Sequence, residues 1–216
     1  EMAAGLAHEI KNPLASIAGS IQLLREEVRY NAGQDKLMLI ILREADRLNA
    51  LLSNFLLFAR PPAGKVQQID LAGALEETVE LFEKDLACYG KILVTKLISR
   101  GVWVAMDPTH LRQVLWNLLN NAAEAIKNSG HIDIHMEPLK NRAVAIRITD
   151  DGCGIAPGNI QSIFNPFFTT KADGTGLGLS IVHSILKSYG NRIEVQSVVN
   201  RGTTFTLRLK ATDSPT

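Results

Sequence analysis

Two stretches in the first third of the chain carry apolar residues at the same repeating interval, which confines that third to helices. Leu6, Ile10, Leu14, Ile17, Ile21, Leu24 and Val28 follow one another at steps of four, four, three, four, three and four. Leu37, Ile41, Ala45, Leu48, Leu52, Phe55 and Ala59 repeat the same steps. Each set forms a narrow seam along one side of a helix. The polar run Tyr30-Asn31-Ala32-Gly33-Gln34 between them predicts a helical hairpin. Two helices alone bury little apolar surface. The economical way to hide both seams is a symmetric dimer that forms a four-helix bundle. Arg60-Pro61-Pro62-Ala63-Gly64 stops the second helix and reads as a hinge. The hairpin is therefore expected over residues 1–62 and a second domain over 65–212.

In the second region helical and strand patterns alternate. Asp70 is a candidate N-cap for a helix through Ala87, and strands are expected at 92–98 and 102–106. Asp107-Pro108 supplies an N-cap and an N1 proline for a long helix, expected to end near Ser129-Gly130. Residues 131–137 and 143–149 suit a strand pair with a turn over 138–142. A helix at about 177–189 with Gly190 as its C′ residue precedes two strands, 192–199 and 203–210. Helices on one face of a mostly antiparallel sheet, an α+β sandwich, is the expected layering.

Composition narrows the function classes. A hydrophobic share of 46% suits a buried core, and a net charge of +1 offers no basic field for nucleic acid. Cys88 and Cys153 are far apart and in no ligand spacing, which argues against a zinc site and fits a reducing cytosol. No apolar run approaches the roughly 18 residues of a membrane span. The opening residues read as mid-helix without an N-cap, so the chain is expected to continue upstream. Any membrane attachment of this cytoplasmic core would come from that part.

On the first helix His8 lies about 160° from the seam centre at Ile10, and so points to solvent. Asn12 follows one turn later on the same face, and Glu9 lies on the flank. Pro13 removes the backbone donor to the Glu9 carbonyl, which bends or loosens the helix beside the imidazole. A ring with an ordinary pKa of about 6.5 is mostly neutral at pH 7 and can act as a nucleophile. Glu9 can accept the proton of its other nitrogen. An isolated exposed histidine is usually only a solvated residue. His8-Glu9-Ile10-Lys11-Asn12-Pro13-Leu14 as a unit, however, resembles the H-box of sensor histidine kinases, in their dimerisation and phosphoacceptor hairpin. The resemblance implies that His8 is the phosphoacceptor, that Glu9 is its acidic neighbour, and that Asn12 serves phosphatase activity.

Three further blocks follow in order. Asn117 and Asn121 are i, i+4 neighbours on the helix after Asp107, and amide oxygens suit Mg²⁺ that keeps water and phosphate as its other ligands. Asp150-Asp151-Gly152-Cys153-Gly154-Ile155 follows a strand; a carboxylate there can accept the exocyclic amine of adenine. Gly174-Thr175-Gly176-Leu177-Gly178-Leu179-Ser180 leads into a helix and offers amides to phosphate. Between them Phe164, Phe167 and Phe168 can tack down a loop that ends in Lys171, a side chain placed to reach phosphate. Each block alone also fits an ordinary helix face, acidic turn or surface loop. Together they resemble the N, G1, F and G2 boxes of the same kinases, in the ATP-binding fold shared with gyrase, Hsp90 and MutL. The resemblance covers essentially the whole chain, and its wording is similar to kinases of the nitrogen- and pilus-regulating type.

That resemblance implies ATP and Mg²⁺ as cofactors, Asn121 as the metal ligand, Asp150 as the adenine-binding carboxylate, and Thr203 on the last strand within the nucleotide set. Asn117 stands where the related ATPases carry a catalytic glutamate. The implied partners are a response-regulator receiver domain and a second copy of the chain, without direct contact to nucleic acid. A hydrolysing ATPase would have no use for HEIKNP on a dimerising hairpin. A degenerate scaffold would not need Asn121, Asp150 and the glycines. The absence of HRD and DFG segments excludes a serine/threonine kinase.

Overall fold

The computed structural model describes residues 17, 19–21, 24, 36–45, 48, 64–85, 91–171 and 174–214. The chain divides into two compact units, Glu1–Pro62 and Ala63–Thr216. In the first, every described residue is helical. Five of the seam residues, Ile17, Leu24, Leu37, Ile41 and Leu48, are exposed in the single chain, whereas Ala45 is buried.

The second unit orders its elements as β1 (Gln67–Asp70), α1 (Leu71–Asp85), β2 (Lys91–Ile98), β3 (Trp103–Met106), α2 (Pro108–Ala125), β4 (Ser129–Leu139), β5 (Ala143–Asp150), α3 (Gly178–Ser188), β6 (Arg192–Val198) and β7 (Gly202–Thr212). The sheet runs β1-β3-β7-β5-β4-β2. One side of β7 pairs with β5, while its other side takes β6 and then β3. All pairs are antiparallel except β2 with β4.

Alternation along the strands decides which face meets the helices. Ile132, Ile134 and Met136 of β4, Val144, Ile146 and Ile148 of β5, and Phe205, Leu207 and Leu209 of β7 are buried. The helices bury Leu75, Val79 and Phe82 of α1, Leu111, Leu115, Leu118 and Leu119 of α2, and Ile181, Ile185 and Leu186 of α3, all at most 1% exposed. Each such side chain contributes about 1.5–3 kcal/mol relative to exposure. Phe82 meets Trp116 edge to face across α1 and α2, with ring centroids 6.0 Å apart.

The helix ends follow local chemistry where the chain supplies it. Asp70 Oδ1 accepts from the Ala72 amide, and Asp107 Oδ1 from the Thr109 amide at 2.7 Å. After α3, the Asn191 amide reaches the Leu186 carbonyl and the Gly190 amide the Lys187 carbonyl, a Schellman pair around Gly190. Two expectations are corrected. Helix α2 ends at Ala125, not near Ser129-Gly130, because the Cys153 amide bonds the Ala125 carbonyl (3.0 Å) and Ile126 turns extended. Ser129 and Gly130 instead begin β4, opposite Lys91 and Ile92. The β4–β5 turn is also shorter than 138–142, since Pro138 pairs with Val144 inside the ladder. The Met136 carbonyl accepts from Ser99, so two residues on, the ring nitrogen of Pro138 faces the same side, beyond the end of β2. Asn141 and Arg142 make the turn with φ of 62° and 51°.

Candidate functional site

Asp150 occupies a core position of the sheet. It continues the inward row of Val144, Ile146 and Ile148, stands between Ile132 and Thr203 in register, and is 4% exposed. Its Oδ1 accepts from the Gly152 amide at 2.9 Å. Burial pushes its pKa above the ordinary carboxylate value, and the Gly152 and Thr203 amides offset part of that push. The Asp151 charge adds to the rise, and Lys171 opposes it. A buried carboxylate held up at a strand end, with no cation in direct contact among the described residues, is a marker of a functional position.

The glycine turn is built around this carboxylate. Gly152 is buried against the Ala125 backbone. Gly154 has φ +68°, and a Cβ there would stand 2.2 Å from the Val198 carbonyl oxygen, so only glycine fits. The Ile155 amide donates to Ser197 Oγ at 2.8 Å, which also contacts Thr203 Oγ1 at 2.9 Å and donates to the Gly202 carbonyl at 3.0 Å. Ser197 thus ties the turn to β7 and holds Thr203 beside Asp150. Asp151, next along, faces outward onto His131. The His131 amide bond to its carboxylate, with the imidazole beside it, keeps Asp151 below the usual carboxylate range despite partial burial.

At the other end of the site, helix α2 turns Asn117, Asn121 and Glu124 toward the glycine-rich turn and its preceding loop. Asn117 Nδ2 donates to the Gln113 carbonyl, and its Oδ1 lies against Gly178, where a Cβ would be 3.1 Å away. Gly178 opens α3, and its cap residue Leu177 supplies no side-chain acceptor to the first turn. The first amides of α3 therefore form a ready anion site. The Leu177 amide itself bonds Thr175 Oγ1. Gly176, with φ +67°, packs on the Phe167 backbone, and the Gly174 amide bonds the Lys171 carbonyl. Leu179, in the first turn of α3, is half-buried. Lys171 Nζ reaches Asn121 Oδ1 at 3.4 Å and pairs with Glu124 Oε2.

Comparison with known proteins bears on both units. Residues 106–213 match the family model of the histidine kinase-, DNA gyrase B- and HSP90-like ATPases. Residues 1–64 match the His Kinase A phospho-acceptor domain. The chain belongs to the sensor histidine kinases. This kinase core is 37% identical over 208 residues to the sensor histidine kinase ZraS of Klebsiella oxytoca, covering 96% of the chain and 45% of that protein. It is 34% identical over 215 residues to sporulation kinase D of Bacillus subtilis, covering 99% of the chain and 42% of that protein. It spans less than half the length of these relatives. Among solved structures, full-length ShkA in complex with AMPPNP superposes with a TM-score of 0.87 at 26% identity, over 100% of this chain and 47% of that one. The histidine kinase ThkA in complex with the response regulator TrrA gives 0.70 at 29% identity, over 98% and 61%.

Within the second unit, the structure brings Asp150, Gly152, Gly154, Ile155 and Thr203 together in one cluster. Asn117, Asn121, Lys171, Gly174, Thr175, Gly176, Leu177 and Gly178 form another. Phe164 stacks on His183 of α3 with ring centroids 5.5 Å apart, so its ring anchors the loop to that helix. His8, Glu9 and Asn12 lie outside the described residues. Among the described residues no group of three His, Cys, Asp or Glu could hold a metal ion. The oxygen donors Asn121 and Glu124 nonetheless fit a hard cation whose other ligands are water and phosphate, and Asn121 Oδ1 already faces an ammonium. Two residues of the pocket, Ser197 and Glu124, carried no motif. Glu124 could have been found by periodicity, three residues beyond Asn121 on the same helix face. Ser197 enters only through the β6–β7 register. No described helix is long and apolar enough to cross a membrane.

Proposed function

We propose that this kinase core binds ATP with Mg²⁺, transfers the γ-phosphoryl group to His8, and passes it to an aspartate of a response-regulator receiver domain while dimerised through its hairpin. The observation that carries the reading is the buried, hydrogen-bonded Asp150 at a strand end, in the same unit as a glycine-rich helix start whose first amides have no side-chain cap. A carboxylate held there accepts the adenine amine, and the α3 amides take the phosphates. ShkA is a kinase solved with AMPPNP and ThkA one solved with a regulator, which supports both substrates. The exposed apolar seam residues in the single chain support the dimer.

In the proposed reaction a ring nitrogen of His8 attacks the γ-phosphorus. An N–P bond forms, the bond to the bridging oxygen breaks, and ADP leaves. Glu9 takes the proton of the other ring nitrogen. Mg²⁺, held through Asn121, would supply charge neutralisation on the phosphates. Asn117 has no basic atom, and its amide donates to the Gln113 carbonyl, so Asn117 does not activate water. With γ-labelled ATP the chain should become labelled, and a cognate receiver domain should drain the label. Steady release of inorganic phosphate without labelled protein would favour plain hydrolysis.

Asn12, four residues after His8 in the sequence, serves the opposing phosphatase activity by positioning water against the regulator's acyl-phosphate. Asn12→Ala is expected to keep autophosphorylation and forward transfer while slowing regulator dephosphorylation at least about ten-fold. The check is decay of purified phospho-regulator in the presence of ADP, next to autokinase rates. Equal loss of both activities would make Asn12 a structural residue beside Pro13.

A further inference from the structure

Among the described residues, Lys171 links the loop after Phe168 to the amide face of α2 through two acceptors. Its Nζ lies 3.4 Å from Asn121 Oδ1 and pairs with the carboxylate of Glu124. The Asn121 oxygen thus faces a cation that belongs to the protein itself. Glu124 is the reason it stays there, because a neutral amide oxygen alone holds an ammonium weakly in water, whereas a carboxylate beside it adds charge. Both side chains are about two-fifths exposed, so the pair is open to exchange.

We propose that Glu124 is a positioning residue that holds Lys171 against Asn121 and gives it up to the nucleotide phosphates when Mg²⁺ takes the Asn121 oxygen. This rests on the nucleotide reading of the pocket and goes beyond it by naming a residue that couples metal and loop. At the amide a divalent ion replaces a monovalent ammonium, a gain of one positive charge that the nucleotide phosphates offset, and the freed ammonium turns to phosphate. Glu124 then faces the metal's water shell instead of Lys171. Phosphate without metal must compete with Glu124 for Lys171, so metal-free nucleotide binds below the strength that the lysine could supply. The Glu124–Lys171 contact thereby makes loop engagement conditional on Mg²⁺.

The test is ADP affinity of the 216-residue chain in EDTA and in excess Mg²⁺, for the wild type, Glu124→Gln, Lys171→Met and the double variant. Glu124→Gln should tighten metal-free ADP by about two- to five-fold, the span of an exposed ion pair, and shrink the gain from Mg²⁺ by at least that factor. In the Lys171→Met background, Glu124→Gln should change metal-free affinity no further. Equal metal-free affinities of wild type and Glu124→Gln would overturn the proposal. So would the same gain in the Lys171→Met background, which would mean simple repulsion between Glu124 and phosphate. A wild-type chain that binds ADP in neither condition would sink the nucleotide reading itself, and is told apart from those outcomes by the wild type alone.

Discussion

His8→Ala abolishes incorporation of label from γ-labelled ATP and leaves nucleotide affinity within a few-fold of wild type. The two halves of this expectation come from different parts of the chain. His8 belongs to the unit Glu1–Pro62, whereas Asp150, the glycine turns, Asn121 and Lys171 all belong to Ala63–Thr216. Alanine has no atom that can form the N–P bond, so the effect on labelling is total and not graded. Every residue of the proposed nucleotide set belongs to the second unit, so binding has no reason to follow. Measuring affinity and labelling on the same preparations separates the two. Residual labelling of the variant would put the phosphoacceptor elsewhere, and a parallel collapse of affinity would mean that His8 takes part in building the pocket.

The second large effect is on recognition. Asp150→Asn is expected to weaken ATP binding by about 10- to 150-fold, the worth of roughly 1.5–3 kcal/mol for a charge-assisted hydrogen bond. Preference for ATP over GTP should shrink with it. Stability should not follow binding. Burial places the folded pKa of Asp150 above its ordinary value of 3.8, so the folded chain holds the proton more tightly than the unfolded chain. The stability associated with the protonated carboxyl is fully present below 3.8 and is lost as pH rises through the raised folded value. At neutral pH the ionised group is a cost to the empty fold, and an asparagine oxygen still accepts from Gly152. The nucleotide-free variant should therefore melt no lower than wild type at pH 8, with the difference closing as pH falls. Unchanged affinity and base selectivity would show that this carboxylate does not read adenine. A lower melting point with proportionate loss of binding would make it a structural residue.

Features set by neighbours in sequence were readable before the structure. Asp107-Pro108 caps α2, Gly190 closes α3, and alternation in β4, β5 and β7 marks the buried face, because each depends on residues a few positions apart. The end of α2 was not readable, since the bond that stops it comes from Cys153, 28 residues beyond Ala125. Pro138 could be placed in a strand only by knowing where β2 runs out. The parallel pairing of β2 with β4 is a matter of topology that no local pattern encodes. In the pocket, motif residues were visible as motifs, but Ser197 and Glu124 act through partners 42 and 47 residues away, Ile155 and Lys171. The three hairpin residues, His8, Glu9 and Asn12, stand on the motif and on the family match over residues 1–64.

The most direct measurement is the chemical stability of the label left on the chain after incubation with γ-labelled ATP and Mg²⁺. Phosphoryl transfer to a ring nitrogen of His8 predicts a label lost in acid and retained in base, and absent from the His8→Ala chain. A label that survives acid, as phosphoserine does, or one that persists on the His8→Ala chain, would contradict it.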